Sequence, residues 1–135
     1  MNVKQSVVIR KDLLMSPGLL AAQACHLNDE WLRERILAAR LKKFPGKKVF
    51  DFGLSSDEFQ WMEGPVLSIL SVNIPEELDQ LMEKAKSLGV EYHVWKDTIP
   101  SVIFAGQFLE VVVGVAFGPD DDEKIKQITG TLPLY

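Results

Sequence analysis

The stretch VVIRKDLLMSPGLLAAQACH, residues 7–26, decides the fold of this chain. It opens with an apolar, β-branched run, so we expect a buried central strand over Ser6–Arg10. Ser16 is a suitable N-cap and Pro17 suits the first helical position, which predicts a helix from Pro17 to about Leu41. A strand that leads directly into a long helix is typical of an α/β domain.

The rest of the chain continues this alternation of strands and helices. A second helix is predicted to start at Pro75 and to stop at Gly89, since these residue types favour the two ends of a helix. The other expected segments are strands over Val66–Val72, Val90–Trp95 and Leu109–Phe117, a helix over Asp120–Ile128, a strand-like tail over Leu132–Tyr135, and loops over Lys47–Gly64 and Lys96–Phe108. This order predicts one domain, residues 1–135, with a three-layer α/β/α fold around a mixed four-stranded sheet.

Composition limits the classes of function that the chain can have. With one cysteine and two histidines, an internal disulfide is impossible and a protein-built zinc site is not expected. The chain lacks the G-x-G-x-x-G, Walker-type and G-x-S-x-G motifs. Its apolar runs are too short for a signal peptide or a bilayer span. We therefore expect a cytoplasmic protein with no metal, no cofactor and no membrane partner.

Charge is spread unevenly along the chain. The formal net charge of −4 does not favour a nucleic acid partner through the overall electrostatic field. Basic residues nevertheless crowd the stretch from Arg33 to Lys48, which includes Arg40 and Lys43. Such a stretch either grips phosphate groups or forms a solvated helix face and loop, and the second explanation is the commoner one.

The stretch at residues 7–26 resembles the opening of the type II peptidyl-tRNA hydrolases, which read R-x-D-L and then M-S-x-G-K-x-A-A-Q-x-x-H. The end of the chain, TGTLPLY over residues 129–135, is similar to their T-G-x-L-x-L close, and Gly118-Pro119 matches as well. Uncharacterised bacterial proteins of the same fold share P-G-L and T-G-x-L-P-L. The resemblance implies a mixed four-stranded sheet between helical layers, a homodimer, and hydrolysis of the ester that joins a peptide to the terminal ribose of tRNA.

The resemblance also implies where the site lies. The family's D-A-G-x-T loop corresponds to residues 97–101, which read DTIPS. Asp97 is then a candidate base that orients water, Ser101 a substitute for the threonine hydroxyl, and His26 a group that binds phosphate or moves a proton. The residues expected to bind substrate are Lys11, Gln23, Thr98, Arg33, Arg40 and Lys43. Purely structural roles, as turn formers or packed side chains, are the alternative for each of them.

Position 19 departs from the family pattern, because Leu19 stands where the family has lysine. A leucine cannot supply positive charge to a phosphate or to a developing oxyanion. One hypothesis is a peptidyl-tRNA hydrolase with another cation near Asp97, for which Lys11 beside the helix start is a candidate. The other hypothesis is a non-catalytic domain of the same fold that binds a small ligand or a protein in the same groove.

Overall fold

A computed structural model describes residues 2–41, 53–104 and 106–135; the side chains at positions 39–41, 101–104 and 108 lie outside that description. The strands form one sheet in the order β2-β1-β4-β3. They are β1 (Val3–Arg10), β2 (Leu67–Val72), β3 (Tyr92–Phe104) and β4 (Gln107–Asp121), and the helices are α1 (Pro17–Leu41), α2 (Ser56–Glu63), α3 (Pro75–Leu88) and α4 (Asp122–Thr129). β1 runs parallel to β2 and antiparallel to β4, which runs antiparallel to β3, so the sheet is mixed.

The first strand explains why the fold has three layers. Val7 and Ile9 are fully buried in the apolar cluster under α1, whereas Val8 belongs to the cluster under α3 and α4. Successive residues of a strand point to opposite faces, so a strand that is apolar at every position needs a cover on both sides. The predicted α/β/α architecture with a mixed four-stranded sheet is confirmed.

The long first helix spans the predicted residues and lies very close to the sheet. Ser16 caps it, since its hydroxyl oxygen accepts a hydrogen bond from the Leu19 backbone N–H at 3.3 Å. Further along, Leu27 lies over Gly114 of β4, where an added Cβ would come within 2.9 Å of the Leu27 side chain and 2.4 Å of the Val8 carbonyl oxygen. Glycine at this point therefore allows α1 to pack directly on the strand that neighbours β3.

The segment Lys96–Phe108 is not the predicted loop. β3 continues to Phe104 and β4 begins at Gln107, so the two strands form a long antiparallel hairpin. Several β-branched residues in this segment favour a strand, and their preference outweighs the breaking effect of Pro100. As a consequence, Asp97 lies within a strand, opposite Val111 of β4, and not in a loop after it.

The segment Lys47–Gly64 is also not a loop throughout, because α2 occupies its second half. Ser55 and Glu58 form a capping box in which each side chain accepts a hydrogen bond from the other residue's backbone N–H, at 3.1 and 2.9 Å. Trp61 of α2 packs edge-on against Trp31 of α1, with ring centroids 5.8 Å apart. In the segments described, no helix is both long and apolar enough to cross a membrane.

Candidate functional site

The polar contacts of the candidate site lie where α1 crosses β3. His26 stacks on Trp95 with ring centroids 4.4 Å apart, and Gln23 donates a hydrogen bond from its side-chain nitrogen to Asp97 Oδ2 at 2.9 Å. One helical turn before Gln23, Leu19 packs against the apolar cluster that contains Ile99. This α1–β3 seam consists of His26, Gln23 and Leu19 of the helix and Trp95, Asp97 and Ile99 of the strand.

The side-chain amide of Gln23 is held in one orientation. Gln23 is only 1 % exposed, and its Oε1 accepts a hydrogen bond from Trp95 Nε1 at 2.6 Å. Because an indole nitrogen can only donate, the amide oxygen must face Trp95 and the amide nitrogen must face Asp97. Trp95 therefore positions Gln23, and Gln23 positions the carboxylate.

The carboxylate of Asp97 is kept ionised by neutral donors. Its Oδ1 accepts a hydrogen bond from the Thr98 backbone N–H at 2.7 Å, in addition to the bond from Gln23 to Oδ2. The Gln23 bond, followed by the Thr98 bond, holds the pKa of Asp97 below its ordinary value; partial burial acts in the opposite direction, and the charge of His26 adds a smaller lowering effect. Asp97 is half-buried, so a water molecule can still reach it.

The cation that the family pattern places at position 19 has no replacement among the described side chains. No lysine or arginine among them forms an ion pair with Asp97. Ile99 is fully buried in the cluster against which Leu19 packs, so the seam is apolar next to the carboxylate. Lys11 does not fill the gap, since its Nζ lies over the ring of Tyr135, 5.6 Å from the centroid.

The other predicted site residues divide between those that the structure describes and those that it does not. Arg33 follows His26 by two helical turns on the same face of α1, and its guanidinium pairs with Glu30 at 3.1 Å. Thr98 is exposed and contributes its backbone N–H. The side chains of Arg40 and Ser101, and all of Lys43, lie outside the described residues.

Sequence reasoning missed two members of the seam. Trp95 was predicted only as the end of a strand, because its hydrogen bond to Gln23 joins residues 72 positions apart and leaves no local pattern. Ile99 was assigned to a loop, although it alternates with Trp95 and Asp97 along one strand face. That alternation is the signal that identifies it.

The geometry suits chemistry in which a carboxylate holds a small polar group. A carboxylate has about four sites for hydrogen bonds, and Asp97 uses two of them for Gln23 and Thr98. The remaining sites can accept from a water molecule or from a substrate. No cluster of three or more histidine, cysteine, aspartate or glutamate side chains in the described segments is arranged to hold a metal ion.

The family model described as Peptidyl-tRNA hydrolase PTH2 matches residues 3–135. Similar proteins include peptidyl-tRNA hydrolases from Methanothermobacter thermautotrophicus (33 % identical, covering 98 % of this chain and 99 % of the relative) and Nanoarchaeum equitans (36 % identical, 98 % and 99 %). A solved structure of a protein of unknown function from Agrobacterium tumefaciens covers 100 % of this chain and 98 % of its own, with a TM-score of 0.53 and 12 % identity, which supports the fold alone.

Proposed function

Since the chain belongs to the PTH2 family of peptidyl-tRNA hydrolases, we propose that it hydrolyses the ester between a peptide and tRNA, with Asp97 orienting the attacking water. The observation that carries this proposal is the hydrogen bond from Gln23 to Asp97, which fixes an ionised, accessible carboxylate on the α1–β3 seam. In the reaction, the water oxygen bonds to the acyl carbon and the bond from that carbon to the ribose oxygen breaks. The proton from the water ends on the ribose hydroxyl.

In this proposal Asp97 mainly orients the attacking water and does not remove its proton completely. A carboxylate whose pKa is lowered is a weaker base, but it is ionised throughout the neutral pH range. Its two free acceptor sites can align the O–H bonds of a water molecule toward an acyl carbon. Thr98 contributes its backbone N–H to this carboxylate, while its side chain points to the opposite face of the sheet, since successive residues of a strand alternate between the two faces.

The tRNA lies along α1 in this proposal. His26 sits at the seam, and Arg33 lies about 10 Å further along the same helix face, given the rise of an α-helix. Arg40 and Lys43 continue the basic stretch in the sequence. A run of cations beside an ester-binding site is suited to the phosphates of an acceptor stem.

We also propose that the protein is a homodimer and works in the cytoplasm, where translation supplies its substrate. Ile36 and Leu37 of α1 are each more than two-fifths exposed, and with Leu32, Asp29 and Arg33 they line a shallow, largely apolar depression on the helix. An apolar surface of this kind supports self-association. Light scattering on the purified protein tests this proposal, because a homodimer should have twice the mass of the chain.

One observation favours the second hypothesis, a non-catalytic binding domain of the same fold. Leu19 and Ile99 make the seam apolar beside Asp97, where a hydrolase of this family would have a cation. A domain that only binds its ligand would hold a small molecule or a protein segment in this groove without turning it over.

A hydrolysis assay separates the two hypotheses. The substrate is an N-acetylated aminoacyl-tRNA, and the proteins are the wild type, Asp97→Ala and the control Asp79→Ala, which removes an exposed aspartate on α3. We expect the wild type and the control to release the acyl group and Asp97→Ala to be slower by a factor of about 100 or more. Pure wild-type protein that binds tRNA but releases no acyl group from this or any other acylated tRNA would overturn the proposal in favour of the binding domain.

A further inference from the structure

His26 and Trp95 form a flat aromatic surface on the α1–β3 seam. Their rings are stacked, with centroids 4.4 Å apart and planes inclined by 19°. The indole covers one face of the imidazole, yet His26 remains exposed, so its exposed area belongs to the outer face and the rim of the ring. A ring with one supported face and one open face is suited to a third ring that stacks on it.

The indole holds this surface in place. Trp95 is half-buried, and its Nε1 donates a hydrogen bond to Gln23 Oε1 at 2.6 Å, which restrains the indole ring. Gln23 precedes His26 by three residues on α1, so the two side chains are neighbours on the helix surface. The His26 ring therefore rests on a support that is ordered before a ligand arrives. Little conformational entropy is lost when a ligand stacks on such a surface.

The stacked rings lie next to the carboxylate of the candidate site. Trp95 and Asp97 both bond to Gln23 from one face of β3, and two positions along a strand correspond to about 7 Å. The charge of His26 acts on the Asp97 carboxylate, so these two side chains are also near each other. In the proposed substrate, the ester and the terminal base are attached to the same ribose. When the ester lies at Asp97, the base is therefore within reach of the His26 ring.

We infer that the outer face of the His26 ring is a subsite for a nucleobase, on which the terminal adenine of the tRNA stacks. This inference rests on the proposed ester hydrolysis and adds a binding contact to it. The contact uses the flat face of the ring, so it does not require a charged imidazole. It leaves the free acceptor sites of Asp97 to the attacking water.

The position of Arg33 agrees with this subsite. Arg33 follows His26 by seven residues, which places it two helical turns further along the same side of α1. Its side chain is 59 % exposed, and only Nη1 bonds to Glu30, so the other guanidinium N–H groups can bind a phosphate. The ester at Asp97, the base on His26 and a phosphate at Arg33 then follow the order of these groups from the 3′ end of tRNA inward.

The test measures binding of two ligands that differ only in the terminal base. Both are acceptor-stem hairpins of tRNA whose last ribose carries N-acetyl-alanine through an amide in place of the ester; one has adenine on that ribose and the other has no base. The proteins are the wild type, His26→Ala, His26→Phe and the control Cys25→Ala, which changes an exposed neighbour about 100° around the helix. We expect all but His26→Ala to bind the adenine ligand about tenfold more tightly than the ligand without a base. His26→Ala should bind both ligands with the same, lower affinity.

The outcomes separate stacking from other roles of His26 and from the proposed function. Loss of the preference in His26→Phe as well as in His26→Ala would assign His26 to phosphate binding or proton transfer and overturn the inference. A preference that persists in His26→Ala, or that is absent in the wild type, would also overturn it. Because neither ligand contains the ester, the result does not depend on hydrolysis. A wild type that cleaves acylated tRNA but ignores the base loses only the subsite, and one that cleaves nothing but binds the base through His26 loses only the hydrolase proposal.

Discussion

Gln23 of α1 donates a hydrogen bond to Asp97 of β3 at 2.9 Å and so joins residues that are 74 positions apart in the chain. This bond ties the longest helix of the described chain to the strand that carries the candidate site. It also stabilises the ionised form of the carboxylate, because an N–H donor favours the charged state.

Replacing Gln23 with leucine should raise the pKa of Asp97 toward its ordinary value. The largest cause of the lowered pKa is then absent, while the Thr98 bond remains. Ionised Asp97 stabilises the folded state at pH values above the pKa that Asp97 has in the unfolded chain. This stabilisation is lost as the pH falls through the lower pKa of Asp97 in the folded state. The variant should show a smaller stabilisation of this kind. Carboxyl carbon NMR over an acidic pH series measures the titration of Asp97 directly.

The same variant should lower the free energy of unfolding by about 1–3 kcal/mol, since Trp95 Nε1 loses its acceptor in a partly buried position. Gln80→Leu, at an exposed position of α3, is the control for the substitution itself. An Asp97 titration midpoint that does not move in Gln23→Leu would contradict the assigned cause.

Replacing Trp95 with phenylalanine should lower kcat about tenfold and leave KM nearly unchanged. Phenylalanine keeps a ring for His26 to stack on but has no N–H to fix the amide of Gln23. Trp61→Phe is the matched control, since it also removes an indole hydrogen bond, to the Val66 carbonyl oxygen at 3.1 Å, but away from the site. Equal losses of kcat in both variants would mean that Trp95 acts through stability alone.

Replacing Arg33 with glutamine should weaken tRNA binding and flatten its dependence on salt. If Arg33 contacts one phosphate, the slope of log affinity against log salt concentration falls by about 0.7–0.9. Glutamine can still donate a hydrogen bond to the buried Glu30, which limits damage to the fold. Lys84→Gln on α3 removes a charge from another layer of the protein, and it should leave the slope unchanged. A slope that is the same in wild type and Arg33→Gln places the tRNA elsewhere.

Replacing Gly114 with alanine should destabilise the fold by about 1–3 kcal/mol, because the new Cβ would overlap the Val8 carbonyl oxygen and crowd Leu27. Urea unfolding measures the change. Gly64→Ala is the control, since a Cβ there meets no atom within 4 Å and the backbone φ of −154° suits any residue. Equal stabilities of the two variants would contradict the close packing of α1 on β4.

Much of the fold could be predicted from local patterns. Apolar runs and end signals such as Pro17 and Gly89 mark α1, β1 and α3, and the structure agrees with these segments. The hairpin of β3 and β4 escaped prediction because Pro100 and Gly106 suggest a loop, whereas pairing with a neighbouring strand overrides local preference. The start of α2 was missed although Ser55 and Glu58 form a recognisable capping box.

The candidate site was predictable only in part. Gln23, Asp97 and Leu19 came from a resemblance between motifs, and the structure brings the first two into contact. The orienting bond from Trp95 and the burial of Ile99 depend on how α1 crosses β3, which is a long-range consequence of folding. Lys11 stands beside the helix start in sequence, yet it lies over Tyr135.

Whether the Asp97 carboxylate acts in the reaction is tested by the single-turnover hydrolysis rate of Asp97→Asn on an acylated tRNA that the wild type cleaves. Asparagine keeps the size of the side chain and can still accept the Thr98 bond through its oxygen, but its amide nitrogen then faces the Gln23 nitrogen, so the change removes both the negative charge and the bond from Gln23. We expect a rate at least about 100-fold below that of the wild type, with an unchanged fold by circular dichroism. A rate within a factor of two of the wild type would contradict it.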